Sequence, residues 1–145
     1  MSYVIDCIMK RILTFGVYDI LHLGHMLLFK RAKELYPDED CQLIVAVQDS
    51  DYILKYKPDT KIIYNTKERM FMVSALKWVD DVVVYQDVDR SIQEIDFDVF
   101  VKGEDQQHAG FQRAIEWCNS KGKAVIELTR TKGISSTILR QNLNI

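Results

Sequence analysis

Two histidines, His22 and His25, flank Leu23 and Gly24 where a short apolar run, Ile12 to Phe15, gives way to a helical pattern. Imidazoles donate hydrogen bonds to phosphate oxygens, and the first turn of a helix adds unpaired N–H groups and a partial charge of about +0.5. Gly24 leaves room for close approach of the backbone. Phosphate is the ligand such a turn favours. Zinc is the weaker reading, because the pair lacks an obvious third ligand and no HExxH or CxxC pattern lies nearby. Near the other end, Arg130-Thr131-Lys132-Gly133-Ile134-Ser135-Ser136-Thr137 joins two cations, a glycine and three closing hydroxyls ahead of another helical pattern. Alone, that segment reads equally well as a capped helix beside a basic surface turn, since Ser135 or Ser136 caps any helix. Combined with the histidines, it describes a triphosphate held between two helix starts.

The elements that must bring these groups together follow from periodicity. Ile12–Phe15, Leu43–Val47, Val82–Tyr85, Val99–Val101 and Ala124–Leu128 are short apolar runs of the kind found in strands covered on both faces. Leu28, Arg31, Ala32 and Leu35 recur at helical spacing, with Lys30, Lys33 and Glu34 turned outward, until Pro37 ends the pattern. Asn65 and Glu68 have the spacing of an N-cap and its returning acid at the head of Met70, Val73 and Ser74. Helices also fit residues 89–96, 109–120 and 135–143. Strands alternating with helices predict a single doubly wound, Rossmann-like α/β domain, with a five-stranded parallel sheet and helices on both faces. In such sheets ligands bind beyond the carboxyl ends of the strands, where strand order reverses. Residues 52–64, with Lys55, Lys57 and Lys61, lack clear periodicity and read either as a substrate-facing loop or as a plain solvated one. Trp117 falls at packing positions with Phe111, while Trp78 suits either the core or a subunit contact.

Composition narrows the classes. The 145 residues suit one domain, and 48% hydrophobic and 28% charged residues with only 6 Gly and 2 Pro exclude a disordered or low-complexity chain. Nineteen Lys+Arg, counted as 19 against 21 Asp+Glu, leave a net charge of −2, so no overall positive field gathers nucleic acid. No apolar run reaches the ~20 residues of a membrane span. Met1 to Lys10 lacks the features of a secretory signal, and Cys7, Cys41 and Cys118 are widely spaced. A cytoplasmic protein with reduced thiols is expected. Residues 1–8 read as an N-terminal extension to a domain over 9–145.

The stretch GVYDILHLGH, Gly16 to His25, together with RTKGISST, resembles the cytidylyltransferase branch of the HxGH nucleotidyltransferases, and within it the glycerol-3-phosphate cytidylyltransferases most. The likeness runs from about Lys10 to Arg140. HxGH alone marks a wide superfamily that includes adenylyl-transferring enzymes, whereas RTxGIS is narrower and typifies the use of CTP to activate phosphoglycerol, phosphocholine or phosphoethanolamine. The resemblance implies transfer of CMP from CTP to a small phosphorylated alcohol, glycerol 3-phosphate first, with release of pyrophosphate. It implies Mg²⁺ on the triphosphate, a homodimer, and neither nucleic-acid nor membrane partners. By the same likeness His22, His25, Arg130 and Asp19 are the catalytic positions, with Asp19 either touching the metal or only orienting its turn. Phe15, Gly16, Tyr18, Gly24, Lys102, Gly103, Asp105, Thr131, Ile134, Ser135, Ser136 and Thr137 border the nucleotide, and Lys57 and Arg69 take phosphate or acceptor. Three departures stand out: Val17 replaces the threonine of the usual GTFD, Gln106 replaces a tryptophan, and Pro58-Asp59 interrupts a paired-lysine pattern. An adenylyltransferase using ATP with FMN or a sugar phosphate is the alternative chemistry, and a catalytically silent nucleotide-binding module the alternative class.

Overall fold

A computed structural model describes residues 9–145; the expected extension over 1–8, with Cys7, lies outside the described residues. Five parallel strands, β1 (Lys10–Gly16), β2 (Cys41–Gln48), β3 (Asp81–Tyr85), β4 (Val99–Gly103) and β5 (Ala124–Leu128), form one sheet in the order β3-β2-β1-β4-β5. Six helices connect and cover them: α1 (Leu23–Lys33), α2 (Ser50–Tyr56), α3 (Thr66–Ser74), α4 (Val88–Glu94), α5 (Ala109–Ser120) and α6 (Ser136–Leu143). The central strands are the continuous apolar runs because both their faces are covered. Ile12 to Phe15, Leu43 to Val47 and Val99 to Val101 are all buried, whereas Val84 on edge strand β3 is half exposed.

Side chains alternate across each strand, so the sheet divides its core in two. On one face Ile12, Leu43, Val45 and Val101 meet Phe29 and Ala32 of α1 and Val73 of α3. On the other, Leu13, Phe15, Ile44 and Phe100 meet Ile92 of α4 and Phe111, Ala114 and Cys118 of α5. Trp117 packs partly buried against this second layer, as its spacing predicts, and Trp78 packs, also partly buried, against the first. The chain winds outward from β1 through β2 to β3, then returns across the sheet to β4. Strand order therefore reverses between β1 and β4. Those two strands pair only at Ile12 with Val99 and Leu13 with Phe100, so their carboxyl-terminal residues diverge.

One expected loop is partly helical. Residues 50–56 form α2, started by Asp49, whose carboxylate accepts from the Tyr52 N–H at 3.3 Å, and only Ile53 is buried. A single buried residue in two turns leaves no repeat to read in the sequence. No helix among the described residues is long and apolar enough to cross a membrane. The cap expected at α3 forms in full: the Asn65 side chain accepts from the Glu68 N–H at 2.9 Å, and Glu68 accepts from the Asn65 N–H at 3.0 Å. Asn65→Ala is expected to cost about 1 kcal/mol of stability. A urea midpoint equal to wild type would show that packing alone holds α3.

Candidate active site

The chain leaves β1 at Gly16, turns through a left-handed Tyr18 (φ 56°) and enters α1 at His22. His22 is the N-cap. Its Nδ1 accepts from the Gly24 N–H at 3.0 Å, and the Nδ1 of His25 accepts from the His22 N–H at 3.3 Å. Both imidazoles thus carry out a reciprocal cap that a Ser and a Glu would usually make. This arrangement fixes their chemistry as well as their position. A neutral ring whose Nδ1 accepts must carry its proton on Nε2, so both rings present an Nε2–H donor. They stack with centroids 3.8 Å apart. Burial, then the charge of Arg130, lowers the His22 pKa; burial, then His22, pushes that of His25 down to about 3. Neutral donors result. Gly24 is required here, since a Cβ would stand 2.8 Å from His22 Cε1 and force the ring out of place.

The second helix start is α6. Ser135 caps it, accepting from the Ile138 N–H at 3.1 Å, and Gly133 makes the preceding turn in a left-handed conformation (φ 79°) that favours glycine. Two contacts from elsewhere hold the approach to this helix. Arg31 of α1 donates to the Thr129 carbonyl at 2.8 Å, and Glu104, just beyond β4, accepts from the Arg130 N–H at 2.8 Å. His22, His25, Arg130, Ser135 and Thr137 consequently line one cavity of about 220 Å³, together with Gly24, Gly103, Asp105, Thr131, Ile134 and Ser136.

A second cavity, of about 260 Å³, opens beside it where β1 and β4 diverge. Phe15, Gly16, Tyr18 and Asp19 line it, and it shares His25, Leu28, Gly103, Asp105 and Ser136 with the first. The Phe15 ring also packs edge-on to Tyr85 in the α4/α5 layer. Gln106 spans the gap: its Nε2 donates to the Phe15 carbonyl at 2.7 Å, and its Oε1 accepts from the Gly103 N–H at 3.1 Å. One amide side chain replaces the missing rung between the two strands. Each cavity is smaller than the ~300–1,000 Å³ of ordinary ligand pockets, but the shared walls make them one cleft at the topological reversal.

Three expected site residues stand elsewhere. Arg69 is wholly buried, and its guanidinium donates to the carbonyls of Tyr64 (3.0 Å), Val17 (2.8 Å) and Gln48 (2.8 Å) and to the hydroxyls of Ser50 (2.7 Å) and Thr66 (3.4 Å). With its donors spent on the chain, it pins the ends of β1 and β2 to α3 rather than facing a phosphate. Lys102 follows the alternation of β4 onto the face of Phe100, away from α1, and sits 3.8 Å from Glu127. Lys57 caps α2 and is exposed outside both cavities; its charge is felt at His108 instead. Asp19 lines the cleft but does not fit a metal ligand. Its oxygens accept from the N–H groups of Ile63 and Tyr64 and pair with Arg140, which leaves no charge for a cation. It orients its turn. Among the described residues no three His, Cys, Asp or Glu side chains gather as a metal cage. Arg31 and Arg140 also belong to the cleft walls, and sequence periodicity placed neither there.

The cytidylyltransferase-like family profile matches residues 13–142. The chain is 34% identical over 139 residues to a glycerol-3-phosphate cytidylyltransferase of Staphylococcus aureus, covering 93% of this chain and 96% of the relative. It is 30% identical to the enzyme of that name from Bacillus subtilis, over 93% of this chain and 98% of the relative. Among solved structures, a lipopolysaccharide core biosynthesis protein from Thermoplasma volcanium superposes with a TM-score of 0.66 at 27% identity, covering 86% of this chain and 98% of that one.

Arg69→Met should lower stability by at least ~3 kcal/mol, because it orphans several buried acceptors at about 1–3 kcal/mol each. Wild-type unfolding behaviour in that variant, with phosphate binding lost, would return Arg69 to the ligand. The lowered His25 pKa also has a sign. Between pH 6.5 and about 3 the unfolded imidazole binds a proton that the folded one refuses, so stability present above 6.5 is lost as the pH falls through that window. His25→Gln should flatten this part of the stability profile. Equal acid slopes in both proteins would contradict the assigned burial.

Proposed function

Since the chain belongs to the cytidylyltransferase-like family, we propose that it transfers CMP from CTP to the phosphate of a small alcohol, glycerol 3-phosphate first, releasing pyrophosphate. It is a CTP-dependent cytidylyltransferase. A phosphate monoester, with its second pKa near ~6, is largely a dianion at neutral pH and needs no general base. One of its oxygens attacks the α-phosphorus, a new P–O bond forms, and the bond to the bridging oxygen breaks in line, its electrons leaving with pyrophosphate. The protein's work is alignment and neutralisation of charge.

The observation that carries this reading is the pair of imidazoles, each with Nδ1 spent on the cap and Nε2–H left to donate, lining the same cavity as Arg130 and the start of α6. His22 and His25 donate to oxygens on the α-phosphorus. Arg130 grips the leaving pyrophosphate, and Ser135, Ser136 and Thr137 add neutral donors. Asp105, exposed at the junction of the two cavities, is placed for ribose hydroxyls. Mg²⁺ belongs to this reading as a partner of the triphosphate, held by phosphate and water, since Asp19 is engaged elsewhere. A cytoplasmic homodimer belongs to it too, and exposed Phe71 on α3 and Val84 on β3 offer apolar surface for a second copy.

Pyrophosphate release with CTP and with ATP, over glycerol 3-phosphate, phosphocholine and phosphoethanolamine, tests the substrates. Activity only with ATP would overturn the nucleotide. His22→Ala and His25→Ala should each lower turnover by ~10²-fold or more with the fold retained. Arg130→Ala should weaken CTP more than the acceptor, and near wild-type rates in the histidine variants would remove their assigned roles.

A further inference from the structure

The α6 helix contributes no buried residue, so apolar packing does not hold it on the sheet. Polar contacts do. At its first turn the Ser136 hydroxyl donates to the Ile20 carbonyl at 3.4 Å. One turn later, on the same helix face, Arg140 donates from Nη1 to the Lys61 carbonyl at 3.1 Å and from Nη2 to Asp19. Asp19 is buried and accepts from the N–H groups of Ile63 (2.9 Å) and Tyr64 (2.9 Å). Three segments distant in sequence, the turn after β1, residues 61–64 and α6, are thus joined through one ion pair. Both Ser136 and Arg140 line the second cavity, and Ser136 lines the first as well.

We propose that Arg140 is a positioning residue which couples the two halves of the cleft, fixing residues 61–64, through Asp19, against the helix whose first turn receives the triphosphate. The inference rests on the nucleotide reading above. A triphosphate seated on Ser135 to Thr137 restrains α6, and Arg140 passes that restraint to residues 61–64 and to Asp19, which lines the second cavity, the part of the cleft left for the acceptor. Linkage makes the effect reciprocal, so each substrate tightens the binding of the other. Arginine is needed because its fork reaches a carbonyl and a carboxylate together, which a lysine ammonium does less well.

Hydrogen exchange at the Ile63 and Tyr64 amides reads the coupling without turnover. In wild type, CTP should slow both amides by about fivefold or more. In Arg140→Ala they should exchange about tenfold faster without ligand and show no further slowing on adding CTP, while the amides of β1 and β2 keep wild-type protection. Steady-state kinetics should show the KM of the best acceptor and that of CTP, each at saturating co-substrate, both raised by a similar factor of about tenfold, and Arg140→Lys should recover part of the loss. Wild-type protection of Ile63 and Tyr64 in Arg140→Ala, or a rise in the KM of one substrate alone, would overturn the proposal. Should wild type itself fail to bind CTP, the functional reading falls, but the ligand-free exchange rates still decide whether Arg140 holds the loop.

Discussion

Two neighbouring strands that keep only the Ile12–Val99 and Leu13–Phe100 rungs and then part are the constraint from which the rest of this molecule follows. The connections leaving β1 and β4 depart to opposite faces of the sheet, because winding reverses there, and among the described residues no element fills the gap between their ends. Into that gap open the N-termini of α1 and α6, each with backbone N–H groups that no intrahelical carbonyl satisfies. A site for an anion is what remains when a parallel sheet turns back on itself. The side chains then refine what the backbone has begun.

Electrostatics in the cleft depend on which cations are already engaged. Arg31 and Arg140 are tied to carbonyls, a hydroxyl or Asp19, so their charge shapes the walls without being offered to a ligand, and Arg69 is spent on the chain outside the cleft. Arg130 is tied only through its backbone N–H among the described residues, which leaves its guanidinium free to meet the cavity it lines. The same charge, with burial, keeps His22 neutral, and His22 in turn helps to keep His25 neutral. A cleft of this kind presents donors rather than protonated rings, and phosphate oxygens supply the negative charge that would draw a proton back.

Much of this was legible in the sequence, for reasons that differ by residue. The strands were visible because β1, β2 and β4 are buried on both faces and so read as unbroken apolar runs. His22, Gly24, His25 and the RTKGISS segment were visible because strand-to-helix turns have local rules, and the winding of the sheet then brings them together. Long cationic side chains were not legible in the same way. Arg31 looked like a helix-face residue and Arg69 like a phosphate ligand, yet their partners, Thr129 and the carbonyls of Val17 and Gln48, lie far along the chain, where no spacing rule reaches. Lys102 fell to the wrong face because strand alternation outranks its position beside Gly103. The α2 helix escaped because one buried residue makes no period.

The amide of Gln106 has a consequence for how such a domain can diverge. Backbone ladders fix the spacing of strands elsewhere in the sheet, but at the Phe15 and Gly103 ends a side chain sets the width of the slot. A substitution there can re-cut the floor of the cleft without disturbing a single backbone rung of the sheet. Selection can therefore tune this enzyme at a bridge that the backbone ladders do not need.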